Sequence, residues 1–100
     1  MTAHEILIAA KQELLTRGWC QGEYVNCATG EVCVLGAFQS AASAGPERIM
    51  AQTLFSQAIG VDAYDFIPGW NDDPARTPED VLDAFDRAIA LAETREAVPA

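Results

Sequence analysis

Positive charge is scarce in this sequence. Six Lys and Arg stand against 15 Asp and Glu, for a formal net charge of −9. The bases (Lys11, Arg17, Arg48, Arg76, Arg87, Arg95) lie far apart along the chain. Neutralising phosphates takes clustered Lys and Arg, so direct nucleic-acid binding is not expected. The same repulsion disfavours an anionic membrane surface. Long hydrophobic runs are missing as well. Ile6-Leu7-Ile8-Ala9-Ala10 and Val32-Cys33-Val34-Leu35 are short, whereas a spanning helix needs about 20 apolar residues. The N-terminus carries His4 and Glu5 and has no basic region followed by an apolar stretch and a cleavage site. A cytoplasmic protein is expected. No P-loop, dinucleotide fingerprint or calcium-loop pattern is present, and the glycines mark turns, so no cofactor is expected.

What is present suits one folded domain over residues 1–100. Half of the residues are hydrophobic. A chain of this mass removes roughly 65% of its surface from water on folding, enough for a core without staples. The negative charge is uneven. Residues 1–60 hold five acids and three bases, a net of −2, and residues 61–100 hold ten acids and three bases, a net of −7. Acidity of this kind aids solubility and also suits a basic protein partner. Arginine outnumbers lysine and alanine is abundant, the bias that GC-rich coding produces.

The expected fold is mainly α with a minor β-hairpin (α+β), a compact domain of three to four helices. Thr2 and Glu5 have capping-box spacing. Ala3, Ile6, Leu7, Ala10 and Leu14 then form a helical stripe that ends at Gly18, predicting a helix over about 3–17. Residues about 24–34 read as a hairpin, Tyr24–Cys27 and Glu31–Val34, turning through Ala28-Thr29-Gly30 and pairing Cys27 with Glu31. A helix rich in small residues follows over about 36–44. Pro46 opens another over about 46–59, with Ile49, Met50, Leu54, Phe55, Ala58 and Ile59 as its apolar face. Residues 61–76 lack periodicity and read as a long loop. Its Tyr64, Phe66, Ile67 and Trp70 are too apolar to stand in water, so it is expected to fold over the core. Thr77 caps the last helix, about 78–95, which buries Val81, Leu82, Phe85, Ala88, Ile89 and Ala92. The tail from Glu96 to Ala100 is expected to fray.

Cys20, Cys27, Cys33 and His4 are the weak candidates for a metal site. Their spacing has no C-x-x-C knuckle, and the length of the first helix separates His4 from the cysteines. A Cys27–Cys33 disulfide is opposed by the diagonal placement of the two residues and by cytoplasmic redox conditions. Small buried thiols are the plainer expectation, and His4 is expected exposed in the first turn. No catalytic residue is identified. The more informative pair is Gly18-Trp19-Cys20-Gln21-Gly22 and Gly69-Trp70-Asn71-Asp72. Each places a tryptophan after a glycine, with amide or acid groups close behind. Arg76 is the nearest base and can clamp Asp72 or Asp73. Trp19, Gln21, Trp70, Asn71, Asp72 and Arg76 therefore read either as a recognition surface or as staples holding two loops to a thin core.

These pieces taken together, GWCQG, CVLGA, GWND, RTPEDVL and DRAIALA, resemble a family of small actinobacterial and actinobacteriophage proteins. The resemblance runs from the first helix to the last. It carries with it no activity, fold or functional residue. It implies a cytoplasmic setting, that of the host for a phage gene, and an accessory role. The favoured function is a small, acidic, non-enzymatic interaction or regulatory module acting on a basic protein partner. The alternatives are small-molecule or metal binding through Cys20, Cys27, Cys33 and the Trp70–Arg76 loop, and self-association as a homo-oligomer.

Overall fold

The structure, a computed structural model, describes residues 1–97. Among these the chain forms five α-helices: α1 Ala3–Arg17, α2 Val34–Ala41, α3 Pro46–Ile59, α4 Ile67–Asn71 and α5 Pro78–Ala97. A single 3-10 turn, Tyr64–Phe66, leads into α4. Residues 98–100, where most of the expected fraying falls, lie outside the described residues.

Local chemistry sets the helix ends. Glu5 N donates to Thr2 Oγ1 at 3.1 Å and Thr2 N donates to Glu5 Oε1 at 2.8 Å, closing a capping box on α1. Thr77 and Asp80 close an equivalent box on α5, with N–H to oxygen distances of 3.1 and 3.2 Å. Gly18 takes φ +88° at the end of α1 and donates to Leu14 O at 2.8 Å. A side chain is rarely tolerated at that φ, so the sharp exit into Trp19 requires glycine.

The core is built around Phe38, Phe55 and Phe85. The Phe55–Phe85 ring centroids lie 4.7 Å apart, and Phe38 sits 5.5 Å from Phe85 and 5.9 Å from Phe55. Ile6, Leu7, Ala10 and Leu14 of α1 close one side, and Val81, Ala84, Phe85, Ala88 and Ala92 of α5 close another. The wet side of α3 differs from the expected apolar face. Ile49 is 48% exposed, while Gln52 and Ser56 are buried. On α5, Ala84 lies in the core, Ile89 only borders it, and Leu82 is half-buried outside it.

The expected α+β class is corrected: the fold is helical, and no strand or sheet forms among the described residues. Two isolated pairings stand in place of the hairpin, Val25 with Val32 antiparallel and Trp19 with Val32 parallel. Two local events prevent a ladder. The turn starts earlier than expected, because Asn26 Oδ1 accepts from Ala28 N (2.9 Å) and Thr29 N (3.2 Å). And Cys33 caps α2, its Sγ accepting from Gly36 N at 3.4 Å, so α2 starts at Val34 and ends at Ala41 rather than covering 36–44. Only one residue is left to pair. The register is also one residue away from Cys27 opposite Glu31, which turns Val32 inward to full burial, as a one-residue slip must.

Residues 61–76 are likewise more ordered than a loop. Ile67 and Trp70 lie three residues apart on α4, and Ile67 is completely buried. Burying that face is what makes so short a helix hold its shape.

Candidate functional site

Glycine-terminated α1 delivers Trp19 to the same place where α4 delivers Asn71. The two tryptophan corners therefore meet, and their hub is the Asn71 side chain, 1% exposed. Its Oδ1 accepts from Trp19 Nε1 at 2.7 Å and from the Val34 backbone N–H at 3.2 Å. Its Nδ2 donates to Cys20 O at 3.2 Å and to Asp72 Oδ1 at 2.9 Å. An amide has two acceptor sites and two donors, and all four are used. One buried side chain thus ties together the exit of α1, the start of α2 and the end of α4.

Around this hub the remaining candidates fall into place. Gln21 Nε2 donates to Asn71 O at 3.0 Å and to Asp73 O at 2.8 Å. Asp72 Oδ1 also accepts from Gly22 N at 2.9 Å. Trp70 has two ring contacts: Phe55 meets it in an edge arrangement at 5.7 Å, and the Arg76 guanidinium lies 4.0 Å from its ring centroid. Arg76 Nε donates to Trp70 O at 3.0 Å. The expected clamp of Arg76 onto an aspartate reduces to one long contact, 3.9 Å to Asp73 Oδ2. Its main partner is the tryptophan, by cation–π contact and by hydrogen bond.

All six residues singled out in the sequence are brought together, with Trp19 and Asn71 fully bonded inside the chain and Gln21 and Asp72 at its exposed edge. Two other residues belong to the cluster and carried no signal of their own. The Val34 N–H was hidden inside an apparent strand, and the Cys20 carbonyl belongs to a residue read only for its thiol.

The four candidate metal ligands are not assembled. Cys20 and Cys33 are buried and Cys27 is exposed, with all three thiols free. Burial pushes the Cys20 and Cys33 thiols above the ordinary cysteine range, the neighbouring thiol and acids adding to the effect at Cys20. Thiols of this kind stay protonated and are poor nucleophiles. His4 is not exposed as expected. Its side chain is 26% exposed, with Nε2 3.6 Å from Glu93 Oε1 across the α1–α5 seam. Among the described residues no group of three or more His, Cys, Asp or Glu side chains is placed to hold a metal ion. Nor is any described helix long and apolar enough to cross a membrane.

Residues 1–91 match a family of unknown function, DUF6197. No curated protein and no solved structure matches the chain.

Proposed function

Since the chain belongs to this family of unknown function, we propose from its geometry that it is a non-enzymatic interaction module whose acidic C-terminal half engages a basic protein partner. The observation that carries this is the placement of the acids on α5. Glu79, Asp80, Asp83, Asp86 and Glu93 all face solvent, along the helix whose opposite face fills the core. Asp62, Asp65, Asp72 and Asp73 add exposed negative charge before it. Four of the nine have a basic neighbour: Asp86 meets Lys11 at 2.6 Å, Asp83 meets Arg87 at 3.1 Å, and Glu93 and Asp73 make long contacts to His4 and Arg76 at 3.6 and 3.9 Å. Exposed pairs of this kind are weak, and Asp62, Asp65, Glu79 and Asp80 have no basic neighbour among the described residues. Such a field raises association rates and selects partners of opposite charge.

The internal closure of the tryptophan cluster supports the same reading. Trp19, Asn71 and Arg76 spend their polar groups on the chain itself, so they hold a surface in shape rather than form one. The enclosed thiols of Cys20 and Cys33 offer a metal or electrophile no open set of donors. The setting we propose is the cytoplasm of an actinobacterium, with the gene carried by the host or by a phage.

Crosslinking and affinity capture from such a cytoplasm test the proposal. The expected result is a basic protein retained at low salt and released as salt rises. Binding of that purified protein should weaken at least about tenfold for the triple variant Glu79→Gln, Asp83→Asn, Asp86→Asn, with helix content unchanged by circular dichroism. Recovery of nothing at any salt concentration overturns it. So does a partner indifferent to both the salt and the triple variant.

A further inference from the structure

Beside the acidic face, a groove of about 290 Å³ lies between the last turn of α1 and the first turn of α5. The buried Leu14 and Val81 form its floor, and the exposed Leu15 and half-buried Leu82 stand at its sides. A single exposed leucine is ordinary, but Leu15, 54% exposed, overlooks an apolar slot. Trp19, fixed through its N–H to Asn71, holds one end of the slot in shape. The volume falls just below the range of about 300–1,000 Å³ typical of small-molecule pockets, and it suits one side chain.

The charges around the groove say what covers it. Glu31 lines the wall, and no Lys or Arg does. That carboxylate is anchored: Oε1 accepts from Thr29 Oγ1 at 3.0 Å, and the stem lies against Gly18, where an added Cβ would come within 3.3 Å of Cγ. It has no basic partner among the described residues. Pro78 and Leu82, one turn apart, give the α5 side of the groove. Glu79 and Asp83 each follow by one position, about 100° further round the helix, on the solvent side. Asp83 meets only Arg87 of its own helix, and Glu79 meets no base among the described residues. The nearest bases are engaged elsewhere, Arg17 with Gly30 O and Ser40 Oγ, and Lys11 with Asp86.

An apolar slot rimmed by acids fits an apolar side chain carried on a basic segment. A second copy of the chain, with its own net charge of −9, is repelled by the same rim. We infer that the groove takes one leucine-sized side chain from a basic segment of the protein partner, with Lys or Arg on either side of it reaching Glu31 and Glu79. The inference rests on the acidic-face reading and deepens it: the field attracts a basic protein, and the groove selects the segment that docks. An apolar anchor inside a charged rim concentrates affinity in a few contacts. Salt weakens the rim, while burial of the anchor is left in place.

Two-dimensional NMR of isotope-labelled full-length protein tests it, with a capped peptide of one leucine between two short lysine runs as the probe. The peptide should produce saturable shifts in the Leu15 and Leu82 methyls and in the Trp19 indole N–H. Serine in place of its leucine should weaken binding about tenfold or more, the loss of one buried side chain. Glutamate in place of its lysines should abolish binding. Leu15→Gln, an exposed change that leaves the core intact, should weaken the leucine peptide similarly and leave the serine peptide unchanged. Equal binding of the leucine and serine peptides, lost for both in the triple α5 variant, overturns the groove and leaves the acidic face standing. Leucine-peptide affinity undiminished by the triple variant and by high salt overturns both. No saturable binding of the leucine peptide, or affinity unchanged by Leu15→Gln, overturns the groove. So do shifts at Leu15 and Leu82 that grow with protein concentration alone, which put a second copy there.

Discussion

At the scale of the residue, Asn71 and Gly36 hold the largest share of the structure. Asn71 has four hydrogen bonds and almost no exposure. Asn71→Leu keeps the branched shape but leaves the Trp19 indole N–H, the Val34 N–H and the Cys20 carbonyl without their partner. Each orphaned buried group costs about 1–3 kcal/mol, so the substitution should remove about 3 kcal/mol or more. Urea denaturation measures the loss. Intrinsic fluorescence should shift to longer wavelength as Trp19 is released. A change confined to a few tenths of a kcal/mol would mean the hub is dispensable. Gly36 is a different case, because its backbone angles are ordinary and space is what it lacks. A Cβ there would run into the Tyr24 carbonyl, 2.8 Å from the carbonyl carbon, which also accepts from Cys33 N at 3.0 Å. Backbone cannot step aside as a side chain can. Gly36→Ala should therefore destabilise by about 1–3 kcal/mol, the usual range for overpacking, read from the same denaturation experiment.

At the scale of the element, α2 is the informative piece. Eight residues cannot hold a helix in water alone. It depends on the Cys33 Sγ cap, on the Asn71 Oδ1 bond to Val34 N and on burial of Val34, Ala37 and Phe38. Cys33→Ala should cost about 1 kcal/mol through the lost cap. Cys33→Ser, which keeps an acceptor for Gly36 N, should cost less, and thermal melts of the two variants separate the outcomes. The same thiol gives a pH signature. Burial raises Cys20 and Cys33 in the folded state, so the unfolded chain loses its protons first. Their contribution is therefore complete below the unfolded value of about 8.5 and is lost as pH rises toward and through the folded values. The urea midpoint should fall from about pH 8.5 upward, and Cys33→Ser should flatten that fall. A midpoint independent of alkaline pH would contradict the enclosure of both thiols.

For the whole molecule, charge imbalance sets the behaviour. A net charge of −9 repels itself more in the compact state than in the unfolded chain. Added sodium chloride should raise the melting temperature by a few degrees as the Debye length shortens. A flat or falling response would show that specific pairs, such as Lys11 with Asp86 at 2.6 Å, outweigh the general repulsion.

Much of the architecture follows from the sequence alone. The capping residues Thr2 and Thr77, the glycine exit at Gly18 and the stripes of α1 and α5 all act over a few neighbouring residues, so periodicity and cap chemistry reveal them. The six residues around the tryptophans were likewise visible as two similar punctuation marks. Tertiary structure alone decided the rest. Val32-Cys33-Val34 has strand-like composition, yet it becomes a turn into a helix because Cys33 finds Gly36 N and Val34 finds Asn71, 37 positions along the chain. Residues 67–71 become helical with Ile67 buried in the core and Trp70 packed edge-on against Phe55. Long-range hydrogen bonds and burial outweigh local propensity of a few tenths of a kcal/mol per residue, and no pattern along the chain records which distant groups will supply them.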